Sequence, residues 1–288
     1  MTADAKEFVY KLPGISGNSR PGVHRSRRQG AGMLFASHTR LFDQPDPRRI
    51  DLRASLKSIH RDWLVRSNHQ RSSETIKAVV DVSSSMHFGS ARRKLDIVAD
   101  FLIALGYSAY RSGDSVNLMA FDDAFRDDLY MPARRGRGIG HTMATAIGNC
   151  NKHDTQAGTT HGLAECVGRL TETGGIVFLV SDFHWALESL PPILENLSGV
   201  LVVPLVVWDM AEIEPPEQDG LLSVRDAESG YFRSLWMRKK IRHQWRDNVS
   251  RRRAEIATVF SAIDIHPFHI DGKFEAESLT RYFLEKVA

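Results

Sequence analysis

Residues 76–85 read IKAVVDVSSS, an apolar run that ends in an aspartate and three serines. The run from Ile76 to Val82 is short and has polar flanks, which predicts a buried strand in the middle of a sheet. Similar runs at 116–121, 175–181 and 200–208 predict further strands. Because helical patterns alternate with these runs, we expect an α/β domain with a doubly wound, mostly parallel sheet and helices on both faces.

The predicted helices lie between and after these strands. They cover residues 91–110, 162–170, 185–197, 232–260 and 275–287, and short strands at 221–224 and 263–270 complete the pattern. Ser90 is placed to cap the first helix. The segment GRGIG at 136–140 follows two arginines and no predicted strand, so we expect a flexible basic loop there and not a phosphate cradle.

The chain has 288 residues, and its length and composition predict a globular protein. Apolar residues make up 42%, charged residues 25%, and the mean hydropathy is -0.29, which excludes global disorder. No apolar run approaches the ~20 residues of a membrane span, and the first residues lack the apolar core of a signal peptide. We therefore expect a cytoplasmic protein with no membrane span. The spacing of Cys150 and Cys166 predicts two buried thiols.

Positive charge is concentrated towards the N-terminus. Residues 20–61 contain ten lysines and arginines against three acidic residues, although the whole chain has a net charge of only +3. Weak periodicity with scattered Gly and Pro predicts a basic arm and a small irregular unit over 1–73. The α/β domain, with a C-terminal helical extension, is expected over 74–288.

Oxygen-bearing side chains follow two of the predicted strands and precede one helix. Asp81, Ser83 and Ser85 follow the first strand, Thr159 precedes the helix at 162–170, and Asp182 follows the strand at 175–181. In a parallel sheet these positions share one edge. Carboxylates and hydroxyls are hard ligands, which select Mg²⁺, Ca²⁺ or Mn²⁺. The sequence therefore predicts one metal site and no catalytic group.

This set of five residues resembles the metal-ion-dependent adhesion site of the von Willebrand factor A fold. The pattern there is Asp-x-Ser-x-Ser, then a separate Thr and a separate Asp. The resemblance implies Mg²⁺ as the ion, Ser83, Ser85 and Thr159 as its direct ligands, and acidic residues that act through waters. Two carboxylates nominally neutralise such an ion and leave an exchangeable position, which the carboxylate of another protein can complete.

Segments outside the metal pattern resemble a bacterial family of unknown function that accompanies MoxR-type AAA+ ATPases. The similar segments include Gly30-Ala31-Gly32, Ile50-Asp51, Met86-His87-Phe88-Gly89, Gly113-Asp114 and the stretch RDAESG at 225–230. A chain of this length is similar to the methanol-oxidation accessory proteins of that family. The resemblance implies a non-enzymatic adaptor or co-chaperone for a MoxR-type ATPase. It would act in maturation or metal loading of a client protein complex that offers an acidic residue to the metal, such as methanol dehydrogenase.

Two alternative functions stay open. A divalent-metal-dependent hydrolase would use the region of Asp81 and Asp182 to activate water, although no Gly-x-Ser-x-Gly motif is present. A nucleic-acid-binding protein would use the basic arm, although no aromatic platform or recognition motif accompanies it.

Several other polar residues receive structural interpretations. We expect His184 to have a supporting role. His266 and His269 would point to opposite sides of a strand, which favours packing over a metal site with Asp271. The basic residues at 238–240 and 251–253 are assigned to a solvated helix face, with docking to an acidic partner as the alternative.

Overall fold

The chain divides into two compact units. A computed structural model describes residues 7–10, 21–30, 34–43, 45–60, 62–151, 159–170, 174–197, 199–225 and 232–287. One unit is Leu12–Glu74, and the other joins Met1–Lys11 to Thr75–Ala288. Phe8 accounts for this joining, because it is buried in the larger unit and its ring stacks 6.2 Å from that of Phe101. The sequence placed residues 1–73 together, whereas in the structure Met1–Lys11 belong to the larger unit.

The smaller unit contains an antiparallel sheet where the sequence predicted irregular structure. Its strands are β1 (Pro21–Gly30), β2 (Leu34–Arg40) and β3 (Leu64–Ser72), in the order β1-β3-β2. A short helix, α1 (Leu52–Leu56), begins where the Asp51 carboxylate accepts from the Ala54 amide. Strand β3 pairs with partners tens of residues away in the chain, and local periodicity does not show such pairing.

A mostly parallel sheet forms the centre of the larger unit. Its strands are β4 (Thr75–Asp81), β5 (Ser115–Phe121), β6 (Met131–Arg134), β7 (Ile176–Ser181), β8 (Leu201–Trp208) and β11 (Phe268–Asp271). The order is β11-β8-β7-β4-β5-β6, with β6 antiparallel to β5. A separate hairpin pairs β9 (Gly220–Arg225) with β10 (Phe232–Met237).

Helices cover the apolar side chains of this sheet. They are α2 (Lys94–Ser112), α3 (Ile139–Gly148), α4 (Thr160–Gly168), α5 (Leu190–Glu195), α6 (Met210–Ile213), α7 (Lys239–Ser261) and α8 (Ala276–Lys286). Phe178 packs its ring 5.2 Å from that of Phe101 in α2. Its neighbours in β7 point the other way and share a cluster with Leu163 of α4 and Phe260 of α7. The α/β prediction is confirmed at this level.

Several local predictions were wrong. The helix predicted over 185–197 begins only at Leu190, and three other errors have a clear physical reason. Residues 232–237 form strand β10 and not the first turns of the long helix, because they pair with β9. Helix α3 begins within the predicted loop at 136–140, since Gly140 lets its backbone pack directly against Gly106 of α2. Helix α2 begins at Lys94, after a capping box between Arg93 and Asp96, and the Ser90 amide instead donates to Asp209.

The thiol prediction is confirmed, because Cys150 and Cys166 are both buried and neither forms a disulfide. Among the described residues, no helix has the length and apolar character that crossing a bilayer requires.

Candidate metal site

The site lies where two neighbouring central strands end. Strands β4 and β7 are parallel and adjacent, so Asp81 and Ser181 reach the same carboxyl edge of the sheet. The chain after Asp81 turns into a short 3₁₀ helix at Ser84–His87, and the chain after Ser181 leads directly into Asp182. Parallel strand direction therefore brings side chains one hundred residues apart into contact.

Asp81 is fully buried, and both of its carboxylate oxygens accept hydrogen bonds. Oδ1 accepts from the Ser83 amide at 2.9 Å. Oδ2 accepts from the Ser181 hydroxyl at 2.6 Å and from the Trp185 indole N–H at 3.1 Å. These bonds hold the carboxylate in one orientation, so its contribution to a bound ion would be its charge and its alignment of neighbouring donors.

The two serines of the pattern form a short hydroxyl chain that ends on Asp182. Ser83 Oγ and Ser85 Oγ are 3.2 Å apart, and the Ser85 side chain is close enough to Asp182 to help lower the pKa of that carboxyl. When each hydroxyl donates its proton towards Asp182, its oxygen lone pairs stay available to a cation. The structure thus brings together four of the five predicted residues: Asp81, Ser83, Ser85 and Asp182.

Thr159, the fifth predicted residue, stands on the same carboxyl edge but bonds to a different loop. Its hydroxyl donates to the Asp123 carbonyl at 3.3 Å and accepts from the Gly162 amide at 3.4 Å, which caps helix α4. Its own amide donates to the Asp122 carbonyl at 3.2 Å. Because residues 122–123 directly follow β5, which pairs with β4, Thr159 flanks the serine loop from the β5 side.

A buried lysine that sequence analysis missed occupies the other side of Asp182. Lys94 is fully buried, and its ammonium donates to Asp182 Oδ2 at 2.7 Å and to Glu212 Oε1 at 2.8 Å. His184 completes this group, with Nε2 at 3.5 Å from Glu212 Oε1. Asp182, His184 and Glu212 present ligand atoms within 4.8 Å of one another. The Lys94 ammonium already supplies positive charge to that acidic group.

The two aspartates have opposite pKa shifts. Burial, together with the charge of Asp182, raises the pKa of Asp81 to about 6. Burial would also raise the pKa of Asp182, but the Lys94 ammonium outweighs it and lowers that pKa to about 2. For Glu212, burial is outweighed by the His184 hydrogen bond and the Lys94 charge, so its pKa is lowered. At neutral pH all three carboxylates are therefore mainly ionised.

The balance of charge fits a divalent cation. Asp81, Asp182 and Glu212 contribute three negative charges, and Lys94 offsets one of them. Two negative charges then remain when the partly exposed His184 is neutral, and Asp81 and Asp182 are fully buried, where uncompensated charge is costly. Mg²⁺ would neutralise this excess, and the hydroxyls of Ser83 and Ser85 are of the ligand type that it prefers.

Several residues of this site gave no signal in the sequence. Lys94 follows two arginines and looks like part of a solvated run, and Glu212 lies in a polar segment far along the chain. Ser181 and Trp185 adjoin predicted residues, but their bonds to Asp81 depend on the β4–β7 pairing. His184 has a supporting position, with its ring stacked 5.5 Å from that of Trp208. His269 packs its ring edge against the same tryptophan.

Arg252 of α7 holds the loop that supplies Asp182. Its guanidinium donates to the carbonyls of Phe183 and Trp185, and Phe183 has a left-handed backbone with a φ of 52°. We expect Arg252→Met to lower the free energy of unfolding by about 2–3 kcal/mol, because two buried carbonyls lose a charged donor. Urea denaturation measures this change. The matched control is Arg251→Met on the exposed face, which should change stability by about 0.5 kcal/mol or less; equal effects would contradict the assignment.

Comparison with known proteins identifies a family. The family described as "Protein of unknown function DUF58" matches residues 45–255. No curated protein matches the chain at a significant level. Among solved structures, an aerotolerance-related membrane protein from Bacteroides fragilis is 11% identical, with 75% of this chain and 98% of that chain covered and a TM-score of 0.44. The conserved hypothetical protein BatB from Bacteroides thetaiotaomicron is 12% identical, with 75% and 99% covered and a TM-score of 0.41.

Proposed function

The chain belongs to the DUF58 family of proteins of unknown function, and from this starting point we propose that it is a metal-dependent protein-binding adaptor. It acts as a co-chaperone of a MoxR-type AAA+ ATPase in the maturation or metal loading of a client complex. The proposal includes a von Willebrand factor A-like, doubly wound fold, a bound Mg²⁺ and a cytoplasmic setting. The finer assignment within it is to the methanol-oxidation accessory protein MxaS, with methanol dehydrogenase as client.

One observation supports this function above the others. Asp81, Ser83, Ser85 and Asp182 meet at one strand edge, with two negative charges left after Lys94 is counted. A bound divalent ion would supply an electrophilic centre that a carboxylate of another protein can ligate. Ser83 and Ser85 would hold the ion directly, and Thr159 would approach it from the β5 side. Asp81 and Asp182 would balance its charge and orient the hydroxyls.

The arrangement of the carboxylates favours binding over hydrolysis. A hydrolase needs a general base that is not already committed and that reaches the attacking water. Both oxygens of Asp81 accept protein donors, and Asp182 accepts from Lys94 and from the His184 amide. The acidic groups therefore serve to hold the site together. ATP hydrolysis in the proposed complex belongs to the ATPase.

The first test measures metal binding by the isolated protein. We expect Mg²⁺ to raise the melting temperature of the wild type, because it neutralises buried charge. Ser83→Ala and Ser85→Ala should abolish most of this rise, since each removes a ligand oxygen. Ser84→Ala, a change at the serine between them, is the matched control and should keep it. A rise of equal size in all four proteins would contradict the metal site.

The second test measures partner binding. Co-purification with the MoxR-type ATPase of the host should require Mg²⁺ and should be lost in chelator, in Asp81→Ala and in Thr159→Val. Unaltered complex formation under all of these conditions would contradict docking through the metal. Mg²⁺-dependent turnover of an ester or phosphoester substrate that disappears in Asp81→Ala would instead support the hydrolase.

A further inference from the structure

The smaller unit carries large apolar side chains on its surface. Phe42, Leu56 and Ile59 are 93%, 87% and 94% exposed, and Leu52 and Trp63 are each more than half exposed. A single exposed apolar side chain is ordinary, but a group of them on one surface marks an interaction site. These five residues, the apolar cluster, therefore form a candidate binding surface.

Hydrogen bonds bring the segments of the apolar cluster together. The Leu41 amide donates to the Trp63 carbonyl at 2.8 Å, which places the turn that contains Phe42 beside Trp63. The next residue along, Leu64, donates its amide to the Ser55 hydroxyl of α1 at 2.9 Å. The two leucines of α1 are one helical turn apart and share a face of that helix. The apolar cluster thus lies at one end of this unit's sheet, where β2 ends and β3 begins.

Positive charge accompanies the apolar cluster. The unit Leu12–Glu74 contains twelve lysines and arginines against five acidic residues, a net charge of +7. Arg48, Arg53 and Lys57 are exposed and form no ion pair with any residue that the structure describes. Of the described acidic residues over 40–66, only Asp43 lacks an ion pair, since the other three pair with arginines. The surface that carries the cluster is therefore cationic.

Protruding apolar side chains among unpaired cations fit an anionic lipid bilayer. In such a contact the apolar side chains enter the acyl region, cations meet the lipid phosphates, and tryptophan lies at the headgroup level. A second copy of the chain fits poorly, because two identical cationic faces would repel each other. A nucleic acid would attract the cations, but Leu52, Leu56 and Ile59 offer its bases no ring on which to stack.

We propose that the apolar cluster binds the surface of an anionic lipid bilayer. Phe42, Leu56 and Ile59 insert among the lipid chains, and Arg53 and Lys57 bind the phosphates. The two cations alternate with the leucines along α1, so charge and apolar surface meet the bilayer together. This binding is independent of the metal site, which belongs to the larger unit.

The test measures co-sedimentation of the full chain with vesicles in the presence of a chelator, so that the metal site takes no part. Vesicles of phosphatidylcholine and phosphatidylglycerol are compared with vesicles of phosphatidylcholine alone. We expect binding to the anionic vesicles to be at least about tenfold tighter and to weaken as salt is raised. No saturable binding to the anionic vesicles, or equal affinity for both kinds, would overturn the proposal.

A double variant, Leu56→Ser with Ile59→Ser, tests insertion. Both side chains are almost fully exposed, so the variant should keep the melting temperature of the wild type while its affinity for anionic vesicles falls at least about tenfold. Leu221→Ser with Leu284→Ser removes two exposed leucines from the larger unit and is the matched control. An affinity loss of equal size in both double variants would overturn the proposal.

A second pair of variants tests the charge. Arg53→Gln with Lys57→Gln should weaken binding to anionic vesicles about tenfold and leave binding to phosphatidylcholine unchanged. The control is Lys239→Gln with Lys240→Gln in α7, where two lysines are also exposed. Wild-type affinity in the first pair, or the same loss in the control pair, would contradict a contact between these cations and the lipid phosphates.

Two measurements without lipid address the other occupants. The wild type and the Leu56→Ser, Ile59→Ser variant should sediment alike, and a dimer that the variant dissociates would assign the cluster to a second copy. Binding of a single-stranded oligonucleotide that the same variant loses would assign it to nucleic acid. Either result would overturn the proposal.

Discussion

Replacing Lys94 with methionine is expected to lower the free energy of unfolding of the metal-free protein by about 3–5 kcal/mol. The ammonium is fully buried and bonds both Asp182 and Glu212, so its removal leaves two carboxylates without a counter-charge. Methionine keeps the volume of the aliphatic stem, which limits the loss from packing. Urea denaturation in the presence of a chelator measures the effect.

The same substitution should increase the response to Mg²⁺. Without the lysine, three negative charges surround the site in place of two, so the ion is attracted more strongly. The rise in melting temperature on adding Mg²⁺ should therefore be larger in Lys94→Met than in the wild type. Arg92→Met is the matched control, because Arg92 pairs with Asp100 on the exposed side of the same segment. A loss in Lys94→Met no greater than in this control would show that the lysine is not buried between the carboxylates in solution.

Glu212→Gln provides a milder form of this test. It leaves Lys94 paired with Asp182 and removes one of the two partners of the ammonium. The expected loss is smaller than that of Lys94→Met, and the Mg²⁺ response should decrease, because one negative charge is gone. An increased response would contradict the charge balance proposed for the site.

The second large effect is a dependence of Mg²⁺ stabilisation on pH. Burial and the charge of Asp182 raise the pKa of Asp81 from 3.8 to about 6 in the folded protein. The folded state therefore favours the protonated form of Asp81. The stabilisation that comes from this bound proton is fully present below pH 3.8. That contribution is lost as pH rises through about 6, and a shift of this size corresponds to about 3 kcal/mol.

Mg²⁺ should reverse this loss, because it compensates the ionised carboxylate. We expect a small rise in melting temperature on adding Mg²⁺ at pH 5 and a large rise at pH 7.5. In Asp81→Asn the Mg²⁺-induced rise in melting temperature should be the same at the two pH values. This variant is also expected to be less stable than the wild type, because the amide nitrogen of asparagine would face a hydrogen-bond donor in place of an acceptor. A pH-independent Mg²⁺ effect in the wild type would contradict the role assigned to Asp81.

The central strands and the metal loop were predictable because their signals are local. Residues 76–82 are apolar at every position except Lys77 and Asp81, and such a run fits a strand that is covered on both faces. Parallel strands place their carboxyl ends on one edge of the sheet, and this rule predicts from the sequence alone that Asp81 and Asp182 lie close together. The contact from Ser85 to Asp182 agrees with that reasoning.

The errors arose where pairing or close packing decides the conformation. Residues 232–237 have a composition compatible with a helix, and they become a strand because β9 provides a hydrogen-bonding partner. The glycines at 136–140 suggested a loop, yet Gly140 is needed for the contact between α3 and α2. Gly106 is remote from Gly140 in the sequence, and β9, although it is the preceding strand, acts through cross-strand hydrogen bonds that the composition of residues 232–237 does not show. Local propensity therefore gave the wrong answer in both places.

The sequence alone determined the α/β class and the set of oxygen donors, because hydrophobic periodicity and strand-end position are properties of short segments. Only the tertiary structure decided that Lys94 and Glu212 join Asp182 and that Arg252 holds the 183–185 loop. These facts depend on which side chains share a buried volume after folding. In such a volume water cannot compensate a charge or a polar atom, so each one must find a partner from a distant part of the chain.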